Sequence, residues 1–470
     1  MQKSNTKYLL FITLIAALGG LLFGYDTAVI SGTVSSLEQT FVLPKGLGED
    51  AANSLLGFAV SCALIGCIIG GSFGGLVSKN LGRRKGLLLA AFLFLISAIG
   101  SSMPEIGFET IGEGGHEYLV NFVIYRLIGG IGVGLASMLS PMYISEIAPA
   151  EKRGKLVSFN QFGIVIGILV VYFINYWIAL QGDANWLSQY GWRWMFASEA
   201  IPASIFFIAL LFVPESPRYL ILKNQEKKGL EILTRINGKE HAEQEVKSIK
   251  ASFGEQKSGG LFTYGKFVVL IGIFIAFFQQ SVGINAVLYY APEIFKSMGN
   301  GSGSAMLQTI IVGAVNLIFT VVAIMYVDKW GRKPFQIIGA LGMGFFMIAL
   351  GTSFYLQTMG VLTLIFMLGF IACFAMSWGP VTWILLSELF PNLIRGKAMA
   401  VATATAWIAN YVVSWSFPIL DKSTWLNDLF HHGFAYWMYG TIAILASLFI
   451  WKFVPETKGK SLEEIEKFWK

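Results

Sequence analysis

The sequence predicts an all-α integral membrane protein in which twelve transmembrane helices form two pseudo-symmetric six-helix lobes, joined by a cytoplasmic helical linker. Three observations carry this: an apolar composition, twelve long apolar runs, and a set of loop motifs that occurs twice in the same order. Hydrophobic residues make up 55% of the 470 and charged residues 13%, so most side chains must face lipid or pack on helices that do. A bilayer core about 30 Å thick takes roughly 20 residues of helix. Apolar runs of that length begin near Tyr8, Ala52, Gly86, Val120, Gly154, Trp194, Phe262, Ala305, Pro334, Thr358, Ala398 and Trp437. They lack the alternation of polarity that a membrane barrel requires, which leaves helices. No small-residue cleavage site follows the first run, which contains Asp26, so that helix is expected to be retained.

Orientation follows from the basic residues. With the twelve spans drawn, the termini, the even-numbered loops and the central segment hold nearly all of the Lys and Arg. Only Lys45, Arg193, Lys296 and Lys422 fall on the other side, and Arg126 lies within a span. The positive-inside rule puts both termini in the cytoplasm. The pI near 9.0 is thus a topology signal, and bases spread over loops exclude a nucleic-acid partner. Cys62, Cys67 and Cys373 sit in apolar runs and read as small core residues. His116, His241, His431 and His432 form no ligand cluster, so neither a metal site nor a cofactor is expected.

The internal repeat gives the lobes. Gly82-Arg83-Arg84, then Glu146 through Arg153-Gly154-Lys155, then Pro214-Glu215 recur as Gly331-Arg332-Lys333, then Glu388 through Arg395-Gly396-Lys397, then Pro455-Glu456. The offset is about 245 residues, and three motifs recurring in one order are not a composition effect. Each copy begins in the cytoplasm and crosses an even number of times, so the two share one orientation and a seam between them can open alternately to each side. The expected division is 1–213 for the first lobe, 214–261 for the linker, 262–454 for the second lobe and 455–470 for a cytoplasmic tail. Within the linker, residues 225–235 and 243–250 place apolar side chains at helical spacing on short, charged helices.

The paired motifs have a mechanical reading. Arg83, Arg84, Glu146, Arg153 and Glu215, with Arg332, Glu388, Arg395 and Glu456, are charges at cytoplasmic helix ends. Ion pairs among them form a cytoplasmic gate if they hold the lobes together when that side is closed. Solvated, topology-setting charge is the plainer alternative.

At these motifs the chain resembles the sugar porter family of the major facilitator superfamily, over nearly its whole length from Gly19 to Gly459. Within it, the resemblance is to the branch of bacterial D-xylose–proton symporters, through Tyr25-Asp-Thr-Ala-Val-Ile-Ser31 and Ala375-Met-Ser-Trp-Gly-Pro380. One departure is Ser78, where most members of the superfamily carry Asp. The resemblance implies the major facilitator fold and a bacterial inner-membrane sugar transporter acting on a monosaccharide without a cofactor. The oligomeric state is not legible, and the fold implies a monomer that works alone.

Asp26, Arg126 and Glu199 are ionisable residues deep inside apolar spans, which is costly enough to imply function. Asp26 and Arg126 fall at compatible depth in the outer half. A carboxylate beside a guanidinium holds its proton weakly, and one shut in a dry cavity away from that partner holds it tightly. On residue chemistry alone the pair is either a fixed structural ion pair or a proton switch. The resemblance favours the switch, because proton-coupled sugar porters have an acid here and facilitative glucose uniporters an amide. It makes Arg126 the switchable partner and Glu199 a support of the relay.

Sugar recognition needs amides that both donate and accept, and aromatic faces for the C–H side of the ring. Gln161, Gln279, Gln280, Asn285 and Asn316 are amides within spans, accompanied by Phe23, Tyr289, Trp383 and Trp407. Lone intramembrane amides serve more often as bonds between helices, but Gln279-Gln280 precedes Gly283 where a helix can break, and Gly379-Pro380 makes a hinge beside Trp383. The resemblance places all of these at sugar-contacting positions. Ile168 and Ala406 depart from it, standing where the xylose symporters carry glutamines; the uniporters carry an Ile at the first, so hexoses are expected as substrates alongside xylose. The expected function is a proton-coupled monosaccharide symporter importing D-xylose or a related aldose such as D-glucose. The alternatives are a uniporter of the same fold and, further off, a membrane sugar sensor. An enzyme is excluded because no nucleophile–base pair lies in the spans.

Overall fold

The computed structural model describes residues 5–149, 152–254, 260–391, 393–458, 464–465 and 468–469. Ala150 and Glu151 of the first loop motif, and most of the tail beyond Lys458, lie outside the described residues. Among the described residues all regular structure is helical. The first lobe holds α1 (Thr6–Gly32), α2 (Glu49–Leu81), α3 (Arg83–Ser102), α4 (His116–Ile147), α5 (Arg153–Ala179) and α6 (Ala184–Leu211). The second holds α7 (Lys266–Ser297), α8 (Ser302–Trp330), α9 (Arg332–Tyr355), α10 (Val361–Leu389), α11 (Arg395–Asp421) and α12 (Phe434–Phe453).

Eleven of these are long and apolar enough to cross a membrane; α11 is the exception. It has 27 residues, about 40 Å of helix, so length is not what sets it apart. Ala398, Ala402, Ala406, Asn410 and Ser414 form its buried face. That face of small and polar residues packs on α2 and α7 at the seam, where a pure lipid surface is not required. Close approach within the first lobe is equally explicit. A Cβ on Gly24 of α1 would collide with Ile164 O of α5, and one on Gly167 with Leu21 O, so small residues let the two backbones meet.

Three helices are broken, each for a local reason. In α6, Pro202 has no N–H to give to Ser198 O, and the chain turns at Glu199 between Trp192–Ser198 and Ala200–Leu211. In α7, the break falls at Val282-Gly283, with Gly283 at φ 88°, a left-handed backbone that favours glycine. In α10 it falls at Ser377, two residues before the expected Gly379. Pro380 cannot donate to Met376 O, so the first segment must end there and the proline is absorbed in the first turn of the next.

The repeat is reproduced bond by bond on the face that carries the termini. Arg83 makes a bidentate pair with Glu146 at 2.6 and 2.8 Å; Arg332 does the same with Glu388 at 2.9 and 3.1 Å. Glu215 accepts from the N–H groups of Arg83 and Arg84, and Glu456 from those of Arg332 and Lys333, so each acid caps the N-terminus of a helix. Ser216 bonds to Glu146 and Thr457 to Glu388. Arg84 caps α6 at Leu210 O and Leu211 O. Arg153 donates to Ser145 O and Arg395 to Phe390 O, so both bond back to the preceding helix end, at different positions of the repeat.

Each Arg–Glu–Glu network here closes within its own lobe. The physical reason is that each acid lies on a helix end adjacent to its arginine in the same bundle, close enough for a bidentate fork.

Cross-lobe bonds gather on the opposite face. Lys422 pairs with Glu38 at 2.6 Å, Ser35 donates to Glu293 at 2.7 Å, and Lys296 reaches both Ser35 and Glu293 at 2.7 and 2.9 Å. Thr424 bonds to Glu49 through its N–H and its hydroxyl, both at 2.5 Å. The linker helices, Pro217–Leu222, Glu226–Asn237 and Lys239–Gly254, share a small apolar cluster of Ile221, Leu233, Ala242 and Val246. They dock on the first lobe, where Asn5 N–H donates to Ile236 O and Arg235 lies 3.9 Å over the Tyr8 ring.

Candidate functional site

The kinked helix α6 and the close-packed α1 bring three intramembrane charges together. Arg126 donates from Nη1 to Asp26 Oδ1 at 2.7 Å and from Nη2 to the Asp26 carbonyl at 3.2 Å. Both side chains are sealed from solvent, at 2% and 0% exposure. The guanidinium also lies 5.2 Å over the Phe196 ring, a cation–π contact on the same α6 turn. Glu199 is fully buried against Asp26 and Arg126. Its two oxygens, and Asp26 Oδ2, accept no hydrogen bond. Two ionised carboxylates have nothing to share, whereas one proton placed between them supplies the missing bond. Next to the cluster, the Tyr25 hydroxyl bonds to Ser198 Oγ at 2.7 Å and ties α1 to the kink.

A second polar group lies at the break of α7. Asn285 Nδ2 donates to Gln280 Oε1 at 2.6 Å, and Gln280 Nε2 donates to Gln279 Oε1 at 2.6 Å. The result is an ordered chain of three amides, which the break allows because it turns the residues before and after Gly283 toward one another. Tyr289, one turn beyond Asn285, lies beside Asn410 of α11, and Asn410 accepts from Ser414 at 3.1 Å.

The lobes meet beside these groups. Phe23 of α1 packs on Trp407 of α11 with ring centroids 5.5 Å apart, and the Trp407 indole lies 3.9 Å from a Cβ built on Gly71 of α2. Tyr172 of α5 donates to Leu288 O of α7 at 2.8 Å. Gln161 lies on α5, Asn316 on α8, and Gly379 and Trp383 on α10; none of them bonds to the amide chain. Ile168 is buried two turns from Gln161 on the same face of α5, and Ala406 is buried one turn from Asn410 on α11. Ser78 is buried with its hydroxyl toward Met142 Sδ, a neutral contact at that departure.

Asn410 is the site residue that sequence reasoning missed, although it is an amide within a span like the five chosen. The far-face pairs Glu38–Lys422 and Glu293–Lys296 were also missed. They sit at or near the far ends of helices, where charge is ordinary, and no repeat marks them.

The comparisons agree with this geometry. The profile described as "Sugar (and other) transporter" aligns with residues 12–469. The chain is 59% identical to the D-xylose-proton symporter of Escherichia coli (strain K12), over 99% of this chain and 96% of that one. It is 43% identical to the glucose facilitated diffusion protein of Zymomonas mobilis, over 100% and 99%. Its structure is similar to the inward open conformation of the E. coli xylose transporter, with a TM-score of 0.89 at 57% identity, covering 98% of this chain and all of that one. A two-lobed helical bundle with paired loop charges, matched from end to end by these relatives, belongs to the sugar transporter family, and the chain is a transporter of that family.

Proposed function

We propose that this chain imports a monosaccharide together with a proton across the bacterial inner membrane, by alternating access, with both termini in the cytoplasm. D-xylose and related aldoses such as D-glucose are the substrates. The observation that carries the reading is the sealed cluster of two carboxylates and one guanidinium. Asp26, Arg126 and Glu199 together hold one negative charge too many for a dry site, and a single bound proton neutralises it. That proton also gives Glu199 and Asp26 a hydrogen bond, so its arrival changes both the charge and the contacts between α1, α4 and α6.

The sugar site is the amide chain Gln279–Gln280–Asn285 with Tyr289, completed by Gln161, Asn316, Gly379, Trp383 and the Phe23–Trp407 pair from facing helices. Amides offer both donors and acceptors to sugar hydroxyls, and the rings cover the C–H face. Ile168 and Ala406 reduce hydrogen-bonding capacity at the pocket edge and widen the choice of aldose. The terminal-face networks around Arg83 and Arg332 keep the mouth of each lobe rigid as the lobes rock. The latch of hydrogen bonds and ion pairs on the far face supports an inward-facing state, from which sugar leaves to the cytoplasm. No second subunit is needed for any of these steps.

The test is Asp26→Asn in proteoliposomes, offering xylose, glucose, galactose and arabinose with and without a pH gradient. Uphill accumulation and sugar-driven alkalinisation of the medium are expected to fall to background while counterflow exchange persists. Accumulation retained by the variant would defeat proton coupling at Asp26. The likeness to a facilitated diffusion protein favours one other outcome, a uniporter, which a wild-type protein indifferent to the pH gradient would reveal.

A further inference from the structure

Beyond the charge cluster, the first lobe buries a run of polar groups that the sugar site does not use. On α3, Ser97 and Ser101 are both 0% exposed, and neither hydroxyl has a hydrogen-bond partner. This departs from the usual habit of helical serines, which bond to a carbonyl one turn back. Spaced by four residues, the two hydroxyls share one face about 6 Å apart, a gap that one water bridges with two ordinary bonds.

The inner end of this line reaches Asp26. A Cβ on Gly129 of α4 would collide with Ser97 Oγ while lying 3.3 Å from Asp26 Oδ1, so the bare glycine leaves a notch in which hydroxyl and carboxylate face each other. The outer end meets a second buried pair. Arg193 donates to Ser102 O at 3.1 Å and pairs with Glu105 at 2.6 Å, and Glu105 in turn accepts from Gly112 N–H in the far-face loop. Buried polar groups are thus strung from that loop to the charge cluster, along the side of the lobe away from the second lobe.

We propose that Ser97 and Ser101, with a water between them, form a proton path along α3 from the outer face to Asp26, separate from the sugar cavity. Each hydroxyl oxygen takes a proton and passes its own onward, so the serines are unchanged and the net event is one proton bound by the Asp26–Glu199 pair. The other titratable groups facing this region are Tyr25 of α1, Cys62 and Cys67 of α2, Tyr125 and Arg126 of α4 and Glu199 of α6. The proposal rests on the reading of Asp26 as the coupling site.

The experiment compares wild type, Ser97→Ala/Ser101→Ala, Ser97→Thr and Asp26→Asn in proteoliposomes, using the sugar that wild type accumulates. Counterflow moves no net proton and reports folding and sugar binding; alkalinisation of the medium reports proton entry. The double alanine variant is expected to slow proton entry at least tenfold, with counterflow within twofold of wild type and the sugar KM unchanged. Ser97→Thr keeps a hydroxyl and is expected to stay within twofold on both readouts. Wild-type proton entry in the double variant overturns the path, as does an equal loss of counterflow or a threonine as impaired as the alanines, since those report packing. Asp26→Asn separates the two ideas: proton entry that persists there defeats the coupling reading itself, whereas loss there with a normal serine variant defeats only the path.

Discussion

Tyr289 and Asn410 lie side by side at the sugar pocket, buried at 4% and 2% exposure. Removing the amide leaves the buried Ser414 hydroxyl without its side-chain acceptor, which costs about 1–3 kcal/mol, and frees the Tyr289 ring that borders the amide chain. Asn410→Ala is therefore expected to weaken sugar binding about tenfold with proton coupling retained. Titration of the sugar by calorimetry on purified protein checks it, and unchanged affinity would remove Asn410 from the pocket. At this scale the charges were legible because an ion in an apolar span is expensive: Asp26, Arg126 and Glu199 stand out in any reading. Asn410 lies in α11, whose alanines, serines and threonines lower the contrast, so the same kind of amide drew less notice. Ser97 and Ser101 were not legible at all, since a helical serine ordinarily satisfies itself and only coordinates show that these two do not.

At the scale of elements, the breaks in α6, α7 and α10 place the chemistry, and each is tied to a residue that cannot continue a helix. Gly283 is the most demanding. At φ 88° a side chain is strained, and a Cβ there would lie 2.6 Å from the Tyr439 ring. Positive φ at a non-glycine residue costs of order 1–3 kcal/mol before the clash is counted. Gly283→Ala is expected to lower the melting temperature of the protein in detergent by several degrees and to reduce sugar affinity through misdirection of Asn285. A melting curve matching wild type would show that the break does not depend on glycine. The existence of this break was readable from Gln279-Gln280 followed by Gly283. Its counterpart was placed two residues late, because the proline, not the glycine beside it, decides where the preceding helix must stop. The paired motifs showed the same boundary between what sequence tells and what it does not. Recurrence identified Arg83 with Arg332 and Glu146 with Glu388, but a motif list does not state whether an arginine finds the acid of its own lobe or of the other.

At the scale of the whole molecule, the charged cross-lobe links gather on the face opposite the termini. The two-lobe plan followed from the repeat, yet the conformation did not, because one sequence must serve both states and their free energies differ by only a few kcal/mol. Glu38–Lys422, Ser35–Glu293–Lys296 and Glu49–Thr424 all cross between the lobes there. Lys422 and Glu38 are 30% and 24% exposed, so the pair contributes no more than about 1 kcal/mol alone. The two partly buried links, Glu38–Lys422 and Ser35–Glu293–Lys296, amount together to about 1–2 kcal/mol, enough to move a two-state population roughly tenfold. The combined variant Glu38→Gln, Glu49→Gln and Glu293→Gln is thus expected to shift the protein toward opening on the far face. Spin labels on the far ends of α2 and α11, read by pulsed electron resonance, should report a longer distance component that wild type lacks. The terminal-face networks are left intact by these substitutions, so a change confined to the far face identifies the latch as the cause. A distance distribution identical to wild type would mean that the lobes are held by the buried seam of Phe23, Trp407 and Tyr172, with the far-face pairs as passengers.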